Sequence, residues 1–537
     1  MVMKYLKVKF LFFVLLAFFS AALGQNSFNY SVQLSQVDIP AMPGIHSYVH
    51  AQHNGKWLFI GGRLDGIHAR QPFNAFSQSQ NNTNIYVADV ASGQVWSAPV
   101  AGLQTNLAEQ LQSTNMCFYQ DNDTLYIVGG YAFSVSANNH ITFPYLATVK
   151  VSGLIDAVIN GLEITPYFKQ ISNTNFAVTG GQLGKINNTF YLVGGHNFNG
   201  RYNPMGNPTY TQTYTNQIRK FTVNNSGTQL SYANYDTITD AVHLHRRDYN
   251  LIPQIFQGNT PGYTISSGVF QSNVDLPYLY PVDISENGYT PITSFSQYLS
   301  NYHSAHASMY DSLSNINYTL FFGGISQYYY QNGVMVQDNL VPFVKTISLL
   351  TRNSDNMLHE FQLPVEMPLL QGAGSEFIVN QNLPYISSDV VNLNLIAQDT
   401  IVLGHIVGGI NSTAINAFSN NQTGLTTASS SIYRVSLINN DPMVLNNIDG
   451  ANKFDFDLFP NPADKAFSVK FDIAKDYAVT YFITNTSGQL IKQGDLTTNV
   501  GKNNKDIDLP AGISNQTLFV TLVFNKMYYV VKKLSVY

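Results

Sequence analysis

Ionisable side chains are scarce in this chain, at 11% charged residues, so the few that could do chemistry stand out. Arg63 and His196 each follow directly on a glycine pair. Arg246 and Arg247 stand side by side, and Tyr302 and His303 are adjacent; Arg201 and Glu376 complete the set. Arginine grips a carboxylate with two parallel donors, and histidine or a carboxylate passes protons near neutral pH. Those types together suit acid–base interconversion of a sugar, with arginine holding an anionic one. A half-buried arginine pair needs anionic partners. A ligand carboxylate is one; Asp248 or Asp65 would serve instead. His-Glu-x-x-His, a phosphate loop and Gly-x-Ser-x-Gly are absent. Asp121-Asn122-Asp123 reads as a strand turn rather than a calcium loop. No metal or cofactor is expected, and no residue is assigned a catalytic role.

A recurring phrase must position these residues: an apolar run that ends in two glycines. It occurs at Trp57–Gly62, Leu125–Gly130, Phe190–Gly195, Thr319–Gly324 and Gly404–Gly409, with a weaker copy at Tyr263–Gly268. An inner strand precedes each run, for example His46–Ala51 or His303–Met309, and a polar turn such as Asn54-Gly55 or Asn187-Asn188 joins the two. A third strand follows a long insertion, as at Asn84–Asp89, Gln217–Val223 and Ser431–Leu437. The first unit also shows an outer strand at Gln94–Ser97. Four short strands per unit, six units in a row, are the pattern of a β-propeller. Glycine is expected where backbone turns tightly against a neighbour. The alternating segment Ser31–Ile39 has no local partner. It is expected to complete the sixth unit beside Ser431–Leu437, with Asp441–Leu445 as the competing strand.

The glycine pairs, the aromatic-bearing strands and Trp96 in the outer strand resemble the kelch repeat over about Ser31–Asn440. The resemblance implies a six-bladed kelch-type propeller, assigned to residues 25–442. It also implies that the insertions Arg63–Asn82, Tyr131–Phe143, His196–Thr215, Ile325–Leu340 and Ile410–Ser430 share one face. These loops are rich in Tyr, Asn and Gln, side chains that suit sugars and uncharged polar ligands. A copper-radical oxidase of the galactose oxidase type uses a similar ring, and Tyr302-His303 resembles its ligand pair. Its cofactor needs a Cys–Tyr crosslink. Cys117 lies in the second unit's inner strand, but Phe176 stands where the phenol belongs. His303 and His306 read equally as strand residues hydrogen-bonded near the axis.

After a linker at 443–455, residues 456–537 alternate as strands of a small Ig-like β-sandwich. Phe459-Pro460-Asn461-Pro462-Ala463, Ser487-Gly488-Gln489-Leu490, Leu509-Pro510-Ala511-Gly512-Ile513 and Lys532-Lys533-Leu534-Ser535-Val536 resemble the C-terminal sorting domain of the type IX (Por) secretion system. The resemblance implies passage through the outer membrane, with type IX machinery as the partner. Residues 1–24 read as a signal peptide: Lys4, Lys7 and Lys9 precede the apolar Phe10–Phe19 and a small-residue site at Ala22-Leu23-Gly24. No later run is long and apolar enough to cross a membrane as a helix.

A chain of 537 residues, 45% hydrophobic, has room for a propeller and an appended module. A net charge of −5 without a basic stripe argues against nucleic acid. The single cysteine, Cys117, rules out an intramolecular disulfide and reads as buried. The expected function is binding of an extracellular glycan or protein through the long-loop face, by a secreted or surface-held protein. The alternatives are a sugar epimerase or mutarotase, the copper-radical oxidase, and a scaffold without a small ligand. Convergence of Arg, His and carboxylate in one axial pocket favours the epimerase; a broad aromatic face without such convergence favours binding.

Overall fold

Each apolar run becomes the second strand of an antiparallel sheet, and the two residues after it turn left-handed. The φ values are +68° and +83° at Gly61-Gly62, +67° and +99° at Gly129-Gly130, and +65° and +93° at Gly408-Gly409. The weak copy keeps this geometry: Ser267 takes φ +62° and Gly268 +103°. A serine at positive φ is strained, which is why the other units carry glycine. The computed structural model describes residues 28–439 and 455–537, apart from 72, 205–208, 300–301, 332, 388, 474–476, 487–489 and 525–527. The export signal, the competing strand 441–445, the linker before Asp455 and the turn containing Gly488 lie outside these residues.

The chain is all-β in its main elements and separates into two compact units, the larger spanning Ser31–Ile438. Among the described residues, that unit holds six sheets of four or more strands. The first is ordered Val49–His53, Lys56–Ile60, Asn84–Asp89, Gln94–Pro99. The inner strands of the next five are Cys117–Asp121, Gln182–Ile186, Asn250–Phe256, His306–Asp311 and Leu370–Val379. The fifth sheet gains two strands, Val390–Asn392 lying parallel to His306–Asp311 and Tyr385–Ser387 beyond it. In the sixth, Tyr30–Val37 pairs with Ile432–Asn439 as its outermost strand, the place expected for the orphan segment.

Consecutive sheets are tied together at the glycines. The second glycine of a pair donates to a carbonyl just ahead of the next inner strand, Gly62 to Ser113 at 2.9 Å, Gly130 to Val178 at 2.9 Å and Gly195 to Arg246 at 2.8 Å, or at its start, Gly324 to Gln371 at 2.8 Å. Gly409, in the sixth sheet, donates to Ile45, ahead of the first, at 2.9 Å. Tyr48 adds a bond from its hydroxyl to the carbonyl of Val407 at 2.8 Å, and Tyr249 repeats the device on Val193 at 2.6 Å.

Two helices, Thr105–Leu111 and Val151–Asn160, were not expected. The second buries Val151, Leu154, Ile155, Ala157 and Val158 in a core shared with the first two sheets. That spacing is a helical stripe, and Gly161 ends it at φ +64°. Asp121–Thr124 is a strand turn, as read, with Asn122 at φ +52°.

The second unit contains two sheets around one apolar core: Phe456–Phe459, Ala466–Ile473 and Gly501–Asp508 in one, and Leu490–Leu496, Val479–Asn485, Gln516–Phe524 and Tyr528–Val536 in the other. Asn461 explains why its motif and the terminal strand occur together. Its Nδ2 donates to the Lys533 carbonyl and its Oδ1 accepts from Ser535 N–H, both at 2.8 Å. Lys532 Nζ lies 2.8 Å from Asp455 Oδ1. Pro460 and Pro462 flank Asn461, and Gly512 takes φ +88°.

Candidate functional site

The residue that follows each glycine pair is held opposite a residue just before an inner strand or, in the sixth sheet, within it. Antiparallel bridges set His46 against Arg63, Thr114 against Tyr131, Thr179 against His196 and Arg247 against Val269. Tyr302 N–H bonds the Ile325 carbonyl at 3.0 Å, and Ala373 is in register with Ile410. All twelve line one cavity of about 170 Å³. Its floor is polar on the side of Arg63, Tyr131 and His196 and aliphatic on the side of Val269, Ile325 and Ile410.

The insertions build the upper wall. His68 stacks on Phe76, rings 4.6 Å apart, and meets Tyr202 and Phe418 edge-on. Loops of the first, third and sixth units thus meet at one imidazole. Phe198 and Phe270 add further rings.

Charges in the cavity are paired within the chain. Arg63, only 1% exposed, donates to both Asp65 oxygens at 2.8 and 2.6 Å and to Asn81 Oδ1 at 3.0 Å. Burial acts to raise the Asp65 carboxyl, but hydrogen bonds and charge from His46 and Arg63 outweigh it and hold it at about 2. Arg247 pairs with Asp248, donates through Nε to the Tyr214 hydroxyl at 3.1 Å and lies over Phe270. Burial alone would lower its pKa; Asp248 drives it up instead. So Asp65 and Asp248, the chain's own carboxylates, take the role open to a ligand.

The histidines divide. Burial depresses His46, against the pull of Asp65. It holds His68 at about 4. His196 is driven well down by burial and by Arg247, with Nδ1 2.6 Å from Gln212 Nε2. His303 moves the other way. Burial opposes its charge, yet Glu376, with Oε1 2.9 Å from Nε2, and Asp248 raise its pKa.

Of the eight expected residues, the cavity brings together Arg63, His196, Arg247, Tyr302 and His303. Arg246 is not among them: it is wholly buried between Tyr278 and Tyr280 and donates to the carbonyls of His243, Ser267 and Tyr280. Ring faces, not a ligand, stabilise that cation. Arg201 braces a loop by donating to the Ala75 carbonyl at 2.7 Å. Glu376 stands behind His303 and lines a different cavity. Sequence reasoning missed His46, His68 and Tyr131; it expected aromatic loops on this face but named none of the rings that form the wall. Tyr131 was findable, because it follows a glycine pair as Arg63 and His196 do. Cys117 and Phe176 are buried in one core cluster. Among the described residues, no three His, Cys, Asp or Glu gather as a metal-holding group.

Residues 457–535 match the secretion system C-terminal sorting domain family. That match marks the chain for export by the type IX system, to the cell surface or the medium. No helix among the described residues is long and apolar enough to cross a membrane. No curated protein matches the chain. A solved structure titled "Structure of YjhT" is 12% identical, with a TM-score of 0.39, covering 75% of this chain and 100% of that one.

Proposed function

We propose that residues 25–442, which contain the larger unit, form a six-bladed kelch-type propeller that binds a neutral sugar in its loop-side pocket. The glycine links, with Gly409 on Ile45 joining sixth to first and His303 N–H on the Asp248 carbonyl at 3.1 Å joining fourth and fifth, support a ring. One observation carries the ligand class: the pocket is walled by rings while its arginines are already matched by Asp65 and Asp248. Aromatic faces and a few fixed polar groups suit a pyranose. An anionic sugar would have to displace Asp65 or Asp248 from its arginine. The small volume suits one terminal sugar residue better than a protein surface.

A glycan-array screen of the full chain tests this, with Phe270→Ala and Arg247→Ala alongside. Neutral glycans are expected to bind, and each variant to weaken them about tenfold or more. Binding restricted to acidic glycans, or unchanged in both variants, would overturn the reading.

A second reading is favoured by the convergence of Arg247, Asp248 and His303, the last backed by Glu376. In a mutarotase, the protonated His303 would give its proton to the sugar's ring oxygen as the C1–O5 bond breaks, Asp248 would take the proton of the anomeric hydroxyl, and Glu376 would hold the imidazole in place. Exchange NMR of reducing sugars tests it: anomer exchange should speed up with the protein and not with His303→Asn.

A further inference from the structure

The same six inner strands border a second cavity of about 660 Å³, through His50, Phe118, Leu183, Leu251, Ser308 and Phe377. Its chemistry is the reverse of the first. Three carboxylates line it, Asp121, Glu376 and Asp389, and no lysine or arginine does among the described residues. Five rings share the wall: Phe118, Tyr119, Tyr263, Phe377 and Tyr385. Asp121 is neutralised from outside by Lys185. His50 and His306 bring no offsetting charge, since burial depresses both even with Glu376 nearby.

Polar atoms at this wall lack partners. Ser308 is 4% exposed and its Oγ makes no hydrogen bond; the same holds for His50 Nδ1. Glu376 is 8% exposed. Its Oε1 faces His303 Nε2 at 2.9 Å. A buried polar group without a partner costs about 1–3 kcal/mol, so such a cluster beside a large cavity points to an occupant. A concave wall of one sign concentrates counter-charge, and aromatic faces add to the attraction of a cation.

We propose that this cavity binds a small organic cation of the polyamine class, with ammonium groups on Glu376 and Asp389 and methylenes against the rings. The two cavities meet at the His303–Glu376 pair, one residue lining each. A cation on Glu376 therefore competes with the His303 imidazolium, and the first pocket senses occupancy of the second. This inference does not depend on the sugar reading.

Calorimetric titration of the full chain with spermidine tests it. Saturable binding is expected, weakened by added salt and reduced about tenfold or more in Glu376→Gln and in Asp389→Asn. The exposed control Glu163→Gln should bind as the parent does, and uncharged triethylene glycol should not bind. Asp389 is solvent-accessible, so its variant guards against misfolding of the Glu376 one. No saturable binding, equal affinity in all three variants, or equal binding of triethylene glycol would overturn the proposal.

Discussion

His303 Nε2 and Glu376 Oε1 lie 2.9 Å apart, and that pair is the partition between two cavities of opposite character. Burial lowers the proton affinity of His303, and Glu376 more than restores it. The folded-state pKa therefore exceeds the ordinary 6.5. The stabilisation from the pair is complete below 6.5 and is lost as pH rises through the raised value. NMR titration should find this histidine titrating above 6.5, and Glu376→Gln should bring it below. An unchanged midpoint in the variant would remove Glu376 as the cause.

His68 has the opposite sign. Its folded pKa is about 4 against an ordinary 6.5, so its contribution is present above 6.5 and lost as pH falls toward 4. Replacement by phenylalanine keeps the stack on Phe76 and removes the titration. The fall in melting temperature between pH 6.5 and 4 should be shallower in His68→Phe; equal slopes would contradict the assignment.

Gly408 tests the linkage of first and sixth sheets. A Cβ there would sit 2.3 Å from the Ile45 carbonyl oxygen, at φ +65°. Gly408→Ala should destabilise the larger unit by about 1–3 kcal/mol or more in urea unfolding. Gly424→Ala, with open space around it, is the control. Equal midpoints for the two would mean the contact gives way freely.

Cys117 is fully buried and its thiol is pushed up to about 12. A thiol in that state is a poor nucleophile. A chromogenic disulfide reagent should leave the native protein unlabelled and label one thiol after denaturation. Rapid native labelling would show that the strand opens.

Asn461 couples the proline motif to the terminal strand through two hydrogen bonds in an exposed setting. Asn461→Ala should cost the tail about 1–2 kcal/mol and reduce the amount exported. Normal stability with failed export would mean that the side chain is read directly by the machinery.

Legibility followed the range of the forces involved. The glycine pairs, the third strands and the partner of Tyr30–Val37 were readable because strand alternation and positive φ are local demands, repeated in register. Ser267-Gly268 looked decayed as text and is intact as backbone, because serine tolerates the conformation at a cost. The helix Val151–Asn160 carried its apolar stripe openly and was overlooked beside the repeats.

The sequence by itself determined an all-β chain of recurring four-stranded units with an export tail, since periodicity and turn chemistry act over a few residues. Only the tertiary structure decided which scarce charges meet. Arg246 and Arg247 are neighbours in the chain, yet one is enclosed by tyrosines and the other looks into a pocket, because successive side chains beside a strand point opposite ways. Asp65 and Asp248 pair with arginines two and one residues away, but Glu376 reaches His303 only because the fifth and sixth sheets pack side by side, a long-range outcome that no local spacing encodes.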